Sequence, residues 1–332
     1  MPSLAMTLTK QVLRLILKKP TSAGAVEAHL KAYEHRRYPQ PAPIPITLRA
    51  KATIREDRVQ GRVVYTLTPR TQASDLHIVY THGGGFVDAF QPAHWWIIAQ
   101  LMKHTGASVT IPLYPLAPEH TYRQTYVFLE AVYRQLLTTI TADRIVLCGD
   151  SAGGHLAIGQ ALHYRDLGLP LPKRIIAFAP VVDLTLSNPE IAEVEPRDIM
   201  LSRAMDQPQL RWWAGQEDLK APLLSPLYAD LHGLPPIDVF IGTDDILLPD
   251  VRIFHDKVRA AGGQIQLYET PGGFHVFMGA IFTPEAQQVY RQIARNLGVH
   301  RTVKRTPGPA LWVAAALLVG ACALCRQRGM RR

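Results

Sequence analysis

From residue 46 onward the chain alternates short apolar runs with longer stretches whose apolar positions recur at helical spacing. Residues 46–54 and 62–68 alternate apolar and polar side chains, which predicts two neighbouring antiparallel strands. The short runs 77–80, 108–111, 144–148, 175–178, 238–241 and 265–268 are dominated by apolar residues, as strands are when both faces of a sheet are covered. Between them the spacing predicts helices near 95–104, 126–137, 153–166, 249–261 and 284–297. Strands in alternation with helices predict an α/β fold built on a mostly parallel sheet with helices on both faces.

Two stretches break this rhythm. Residues 184–224 hold no apolar run of strand type, but carry Met200, Met205, Trp212 and Trp213 among polar residues in a helical pattern. A connection of that length is too long for an ordinary loop. Near the N-terminus Leu4, Leu8, Val12 and Leu15 recur at helical spacing around Lys10 and Arg14, and no small-residue cleavage site follows. An amphipathic helix packed on the protein is expected there, with a membrane-surface helix as the alternative. Residues 1–45 and 184–224 are therefore expected to form a helical cap over an α/β core of 46–183 and 225–300.

Composition changes the picture only at the C-terminal end. With 47% hydrophobic and 19% charged residues, the 332-residue chain is globular in character and long enough for one large domain or two smaller ones. Its formal charge of +9 equals the nine Lys and Arg residues after Glu285, a stretch with no acidic residue. A neutral body with a basic end does not make a groove that tracks phosphates, so nucleic acid is not an expected partner. Residues 310–325, ALWVAAALLVGACALC, are apolar without interruption, with Pro307 and Pro309 before them and Arg326, Arg328, Arg331 and Arg332 behind. The run is shorter than the roughly 20 residues of a comfortable bilayer span. Basic residues on both sides give no orientation. The tail 301–332 is read either as a membrane attachment or as a helix packed against the body or a partner. Cys148, Cys322 and Cys325 make no disulfide framework, and a reducing, cytoplasmic compartment is expected. Cys322 and Cys325 form a C-x-x-C, but without the strand-then-helix setting of a redox motif.

The chemistry lies at the ends of the predicted strands, where open parallel sheets bind their ligands. Gly149-Asp150-Ser151-Ala152-Gly153 matches G-x-S-x-G, with a strand before it and a helix after it. A serine hydroxyl needs a base to become a nucleophile, and the base needs a carboxylate to orient it. Asp245 follows the strand 238–241, His275 follows the strand 265–268, and the order Ser, Asp, His is the one this architecture uses. Thr81-His82-Gly83-Gly84-Gly85-Phe86 follows the strand 77–80. Its glycines leave backbone N–H groups open to join that of Ala152 around an oxyanion. No Lys-Ser/Thr follows them, as a phosphate-binding loop would require. His82 is expected to hold its own loop, Asp150 to bond neighbouring backbone, Cys148 to pack in a strand and His255 to be solvated or packed. Phe86, Trp95, Trp96, Trp212 and Trp213 are candidates to line an acyl pocket or to fill the core, and Phe86, Trp212 and Trp213 are taken as the substrate-binding set.

The segments HGGGF at 82–86, YPLAPEH at 114–120, GDSAGG at 149–154, DDILLPD at 244–250 and FHVF at 274–277 resemble the hormone-sensitive-lipase-like branch of the α/β-hydrolases. The likeness covers residues 20–298 in order and spacing. It implies an eight-stranded sheet with a helical cap, no metal or organic cofactor, and hydrolysis of short- to medium-chain carboxylic esters through an acyl-enzyme. It assigns Ser151 as nucleophile, Asp245 as acid, His275 as base, and Gly83, Gly84 and Ala152 as oxyanion donors. The chain departs from the family pattern at Pro115, where an arginine is common, at Ile246-Leu247, where Pro-Leu is common, and in the tail after residue 300. The expectation is a serine carboxylesterase acting on a small-molecule ester. Its rivals are an amidase or deacetylase with the same triad, a catalytically silent ligand-binding protein, and a membrane-tethered scaffold.

Overall fold

The structure is a computed structural model that describes residues 1–17, 19, 23–34 and 39–299. Helices α1 (Leu4–Leu17), α2 (Ala23–Glu34) and α3 (Ile46–Lys51) precede the strands β1 (Ala52–Val59), β2 (Arg62–Pro69) and β3 (His77–Thr81). From there strands and helices alternate: α4 (Pro92–Thr105), β4 (Ser108–Pro112), α5 (Tyr122–Leu137), β5 (Ile145–Asp150), α6 (Ala152–Asp166) and β6 (Arg174–Phe178). Two helices without an intervening strand, α7 (Ile191–Val194) and α8 (Arg203–Ala214), interrupt the alternation, which resumes with β7 (Ile237–Gly242), α9 (Leu248–Ala260), β8 (Ile265–Thr270) and α10 (Pro284–Asn296).

The eight strands form one sheet in the order β1-β2-β4-β3-β5-β6-β7-β8. β2 pairs antiparallel with β1 and β4, and every other pair is parallel. Five of the runs thus occupy the interior of the sheet, where successive side chains must be buried on opposite faces, while 265–268 forms the edge strand β8 and is only partly buried. On β5, Ile145 and Leu147 pack among α5, α6 and α9, while Val146 and Cys148 point to the face covered by α1, α4 and α10. This two-sided burial is that of the mostly parallel, covered α/β sheet expected from the alternation.

One expected strand begins late. Over 46–54 the strand starts only at Ala52, because α3 takes the first six residues. Pro45 provides an extended N-cap, and Leu48 is 4% exposed while Ile46 is 80% exposed. The buried pair is Leu48 with Ala52, four apart, which one helical turn satisfies and a full alternation with Ile46 does not.

The helical stretches outside the alternation are tied to the loops at the carboxyl ends of the strands. Ser3 donates from its N–H and hydroxyl to Glu285 at the start of α10, at 2.6 and 2.9 Å. Lys10 of α1 and Arg197 ahead of α8 both pair with Asp244, on the loop after β7. Lys19 donates to the backbone carbonyl of Asp198 at 2.9 Å. Among the described residues no helix is long and apolar enough to cross a membrane, and the run 310–325, with Cys322 and Cys325, lies outside them.

Candidate active site

The turn between β5 and α6 forces Ser151 into an unusual backbone conformation, φ 55° and ψ −120°. A non-glycine residue there is strained, and the surroundings hold it. Its N–H donates to Phe178 O at 2.7 Å on β6, and the glycines beside it let the turn press against β3. A Cβ on Gly153 would lie 2.0 Å from Thr81 O, and one on Gly149 would lie 2.2 Å from Gly153 O. Gly153→Ala is therefore expected to lower stability by about 3 kcal/mol, as forced overpacking does, read as a drop in Tm with loss of the turn's activity. Ser151 makes no side-chain bond that caps α6.

His275 follows β8 in a turn whose next residue, Val276, has φ 53°. Its Nδ1 lies 2.8 Å from Asp245 Oδ2, and both side chains are buried. The other oxygen, Asp245 Oδ1, accepts the Leu247 N–H at 3.0 Å, which fixes the carboxylate's plane. Burial disfavours a charged ring at His275. The charge and hydrogen bond of Asp245, followed by Asp198 and Asp206, overcome it and raise the imidazole above its ordinary range. Adjacent Asp244 turns to Lys10 and Arg197 instead.

Asp198 is a contributor without a sequence motif. It is buried, and its Oδ1 accepts the N–H groups of Met200 and Leu201 at 2.7 and 2.8 Å. Oδ2 accepts the N–H of Ile246, next to Asp245, at 3.0 Å. Burial, then the charge of Asp245, push its carboxyl up. The only local signal was an aspartate two and three residues ahead of the amides it caps, an ordinary turn pattern.

The glycine loop corrects one assignment. Gly83 is turned to Asp150: its N–H donates to Asp150 Oδ1 at 3.1 Å, and a Cβ would lie 2.4 Å from Oδ2. Gly83 does not border the cavity, whereas Gly84, Gly85 and Ala152 do. Three successive glycines leave the register open, and the Asp150 bond decides it by engaging the first. Asp150 also accepts from the Tyr80 hydroxyl and faces His94 Nε2 at 3.4 Å. Burial opposes its charge, but His94, Tyr80 and His82 more than offset this and hold the carboxyl below its usual range. His82 supports the loop as expected: Nδ1 meets Gly83 O at 2.8 Å and the ring stacks on Tyr114 at 4.4 Å. Burial and then His94 push it down to about 3, so it stays neutral. Around Pro115 the support comes from neighbours, since Tyr114 donates to His82 O at 2.7 Å and the Ala117 N–H to Phe86 O at 2.9 Å.

Ser151, His275 and the three N–H carriers border one cavity of about 340 Å³. Its walls are mostly apolar, with Leu13 and Leu17 from α1, Trp96 and Ile97 from α4, and Met200, Met205 and Leu210 from the stretch 184–224. The expected substrate-binding set does not border it. Phe86 and Trp213 stack face to face at 3.7 Å and are fully buried, joining the glycine loop to α8. Trp212, next on the helix, points away and packs half-buried against the core. Of the other aromatic candidates, Trp96 lines the cavity, and Trp95 is buried with its N–H on Ala42 O at 3.0 Å.

A family model described as the α/β-hydrolase fold matches residues 78–279. Similar curated proteins include an esterase of Acinetobacter venetianus, 31% identical over 230 residues covering 68% of this chain and 76% of the relative. An acetyl-hydrolase of Streptomyces hygroscopicus is 30% identical, covering 60% of this chain and 67% of the relative. Among solved structures, an esterase from the bacterial hormone-sensitive lipase family aligns with a TM-score of 0.77 at 26% identity, over 90% of this chain and 98% of that one. The chain belongs to the α/β-hydrolase family, in its hormone-sensitive-lipase-like branch.

Proposed function

We propose that this chain is a serine carboxylesterase that cleaves short- to medium-chain esters through an acyl-enzyme. The observation that carries the reading is that His275, hydrogen-bonded to the buried Asp245, borders the same apolar cavity as Ser151, whose backbone the strained turn presents there. Ser151 Oγ attacks the ester carbonyl carbon while His275 Nε2 takes its proton. The N–H groups of Gly84, Gly85 and Ala152 receive the negative oxygen of the tetrahedral intermediate. His275 then gives the proton to the departing alkoxide, leaving the acyl group on Ser151. A water deprotonated by His275 attacks that acyl carbon, the bond from the acyl carbon to Ser151 Oγ breaks as His275 returns the proton to Oγ, and the carboxylic acid leaves with Ser151 and neutral His275 restored. Asp245 holds the ring's tautomer and stabilises the imidazolium. The cavity size and apolar walls favour an aliphatic acyl group of modest length, in keeping with the acetyl-hydrolase among the relatives.

Residues 1–45 and 184–224 act in this reading as the two parts of a cap, since both contribute cavity walls. The tail 301–332 serves as a membrane attachment, supported by its uninterrupted apolar run between basic residues.

The test is covalent. A fluorophosphonate is expected to label the wild-type chain at one site and to leave Ser151→Ala unlabelled; equal labelling of both chains defeats the assignment. The pH profile supplies a second check. His275 acts as a base only when neutral, and its pKa is raised, so kcat/KM is expected to rise with pH through a limb above 6.5. A limb below 6.5, measured with a non-ionising ester, would show that the carboxylates around the ring do not govern it.

A further inference from the structure

Helix α1 has two apolar faces, and the cavity uses only one. Met6, Thr9 and Leu13 are buried, and Thr9, Leu13 and Leu17 border the cavity. On the opposite side Leu4, Leu8 and Leu15, at i, i+4 and i+11, share one face and are 75%, 51% and 75% exposed. A helix that only roofs a pocket needs one apolar face, with polar residues on the other. Gln11, also exposed, lies between Leu8 and Leu15 on this face; three large apolar side chains grouped around it on one exposed helix face still mark something that covers them.

Charge and the rest of the chain indicate what that is. Arg14 is exposed on α1, and Arg291 and Arg295 are exposed on α10, the helix whose Glu285 holds Ser3 at the start of α1. Beyond α10 the sequence continues with Arg301, Lys304 and Arg305 and then the run 310–325. That run is apolar on every side, so as a helix laid on the body it would present leucine and valine to water; lipid accommodates all its faces. Basic residues beside leucine stripes are the pattern of a helix lying in an anionic membrane surface.

We infer that the outer face of α1 rests on an anionic lipid bilayer, with Leu4, Leu8 and Leu15 in its interfacial region, so that esters carried in the lipid meet the cavity wall built by the same helix. The inference rests on the esterase reading for its substrate, and on the exposed leucines of α1 with the basic residues of α1, α10 and the sequence after it for its docking. One face of the helix contacts lipid and the other contacts the acyl group, which makes the bilayer both support and supply.

The test uses the full chain carrying Cys322→Ala and Cys325→Ala, with an environment-sensitive fluorophore attached through Leu8→Cys. Phosphatidylglycerol vesicles are expected to shift its emission to the blue, while the same dye attached through Val127→Cys, an exposed position on α5, does not shift. In parallel, the combined Leu4→Gln, Leu8→Gln, Leu15→Gln chain is expected to hydrolyse soluble p-nitrophenyl acetate at the wild-type rate. It should hydrolyse an ester dispersed in the same vesicles about tenfold more slowly. A dye at 8 that stays unshifted on vesicles overturns the inference, as do equal vesicle rates. A shift that follows protein concentration without vesicles, together with a doubled mass, also overturns it and assigns the face to a second copy. An unsubstituted chain inactive on the soluble ester would defeat the esterase reading, and the dye measurement would still decide the docking.

Discussion

Replacing Ser151 with alanine is expected to lower kcat by about 10⁶-fold with little change in KM, because removing the nucleophile of a serine triad costs about as much as removing the whole triad. The cavity should survive the substitution. Ser151 contributes no side-chain cap to α6, and its N–H bond to Phe178 O is a backbone bond that alanine keeps. Alanine also meets the same backbone strain as serine, so the fold has no reason to relax. The residual rate should still exceed the uncatalysed reaction, since the N–H groups of Gly84, Gly85 and Ala152 remain to stabilise an oxyanion formed by water attack. Single-turnover kinetics with p-nitrophenyl acetate measure the loss directly. Retention of more than about 1% of the wild-type kcat would remove Ser151 as nucleophile.

Much of this site is legible in the sequence because its parts are local. A glycine on each side of Ser151 is a statement about distance: two strands and a helix approach so closely that a Cβ at 149 or 153 would overlap carbonyl atoms. The central strands were legible for a similar reason. Residues such as 145–148 have no polar position to present to water, so only the interior of a covered sheet suits them. What escaped depends on relations between distant segments. The choice between Gly83 and Gly85 turns on a carboxylate 67 residues away, and no pattern within the three glycines expresses it. Aromatic residues at 86, 212 and 213 carry the expectation of an acyl wall, yet Phe86 and Trp213 stack on each other and are fully buried. The walls instead come from leucine and methionine on α1 and the stretch 184–224, residue types common to cores and clefts alike. Asp198 escaped because its work is done through backbone amides, which every residue has.

Asp245→Asn is expected to lower kcat by about 10⁴-fold, whereas Asp244→Asn should leave the chemical step within about tenfold of wild type. The sequence places the two carboxylates side by side, and the structure separates their environments. Asp245 is fully buried with one oxygen on His275 and the other on the Leu247 N–H. Asp244 turns to Lys10 and Arg197, so it joins α1 and the stretch before α8 to the loop that carries Asp245. An asparagine at 245 presents an amide of either orientation to Nδ1. If its N–H₂ faces the ring, the proton is forced to Nε2 and the base can no longer accept from Ser151. The loss should have a second signature. Of the groups that raise the His275 pKa, Asp245 is the largest, so without its charge the lower limb of the pH profile should move toward acid. Asp244→Asn should instead change KM for long acyl chains, because it loosens two segments that build the cavity wall. Kinetics of both variants from pH 5 to 9 distinguish the roles. A kcat loss at 244 equal to that at 245 would mean that the loop acts as one unit and that the hydrogen bond to His275 is not where the carboxylate's effect arises.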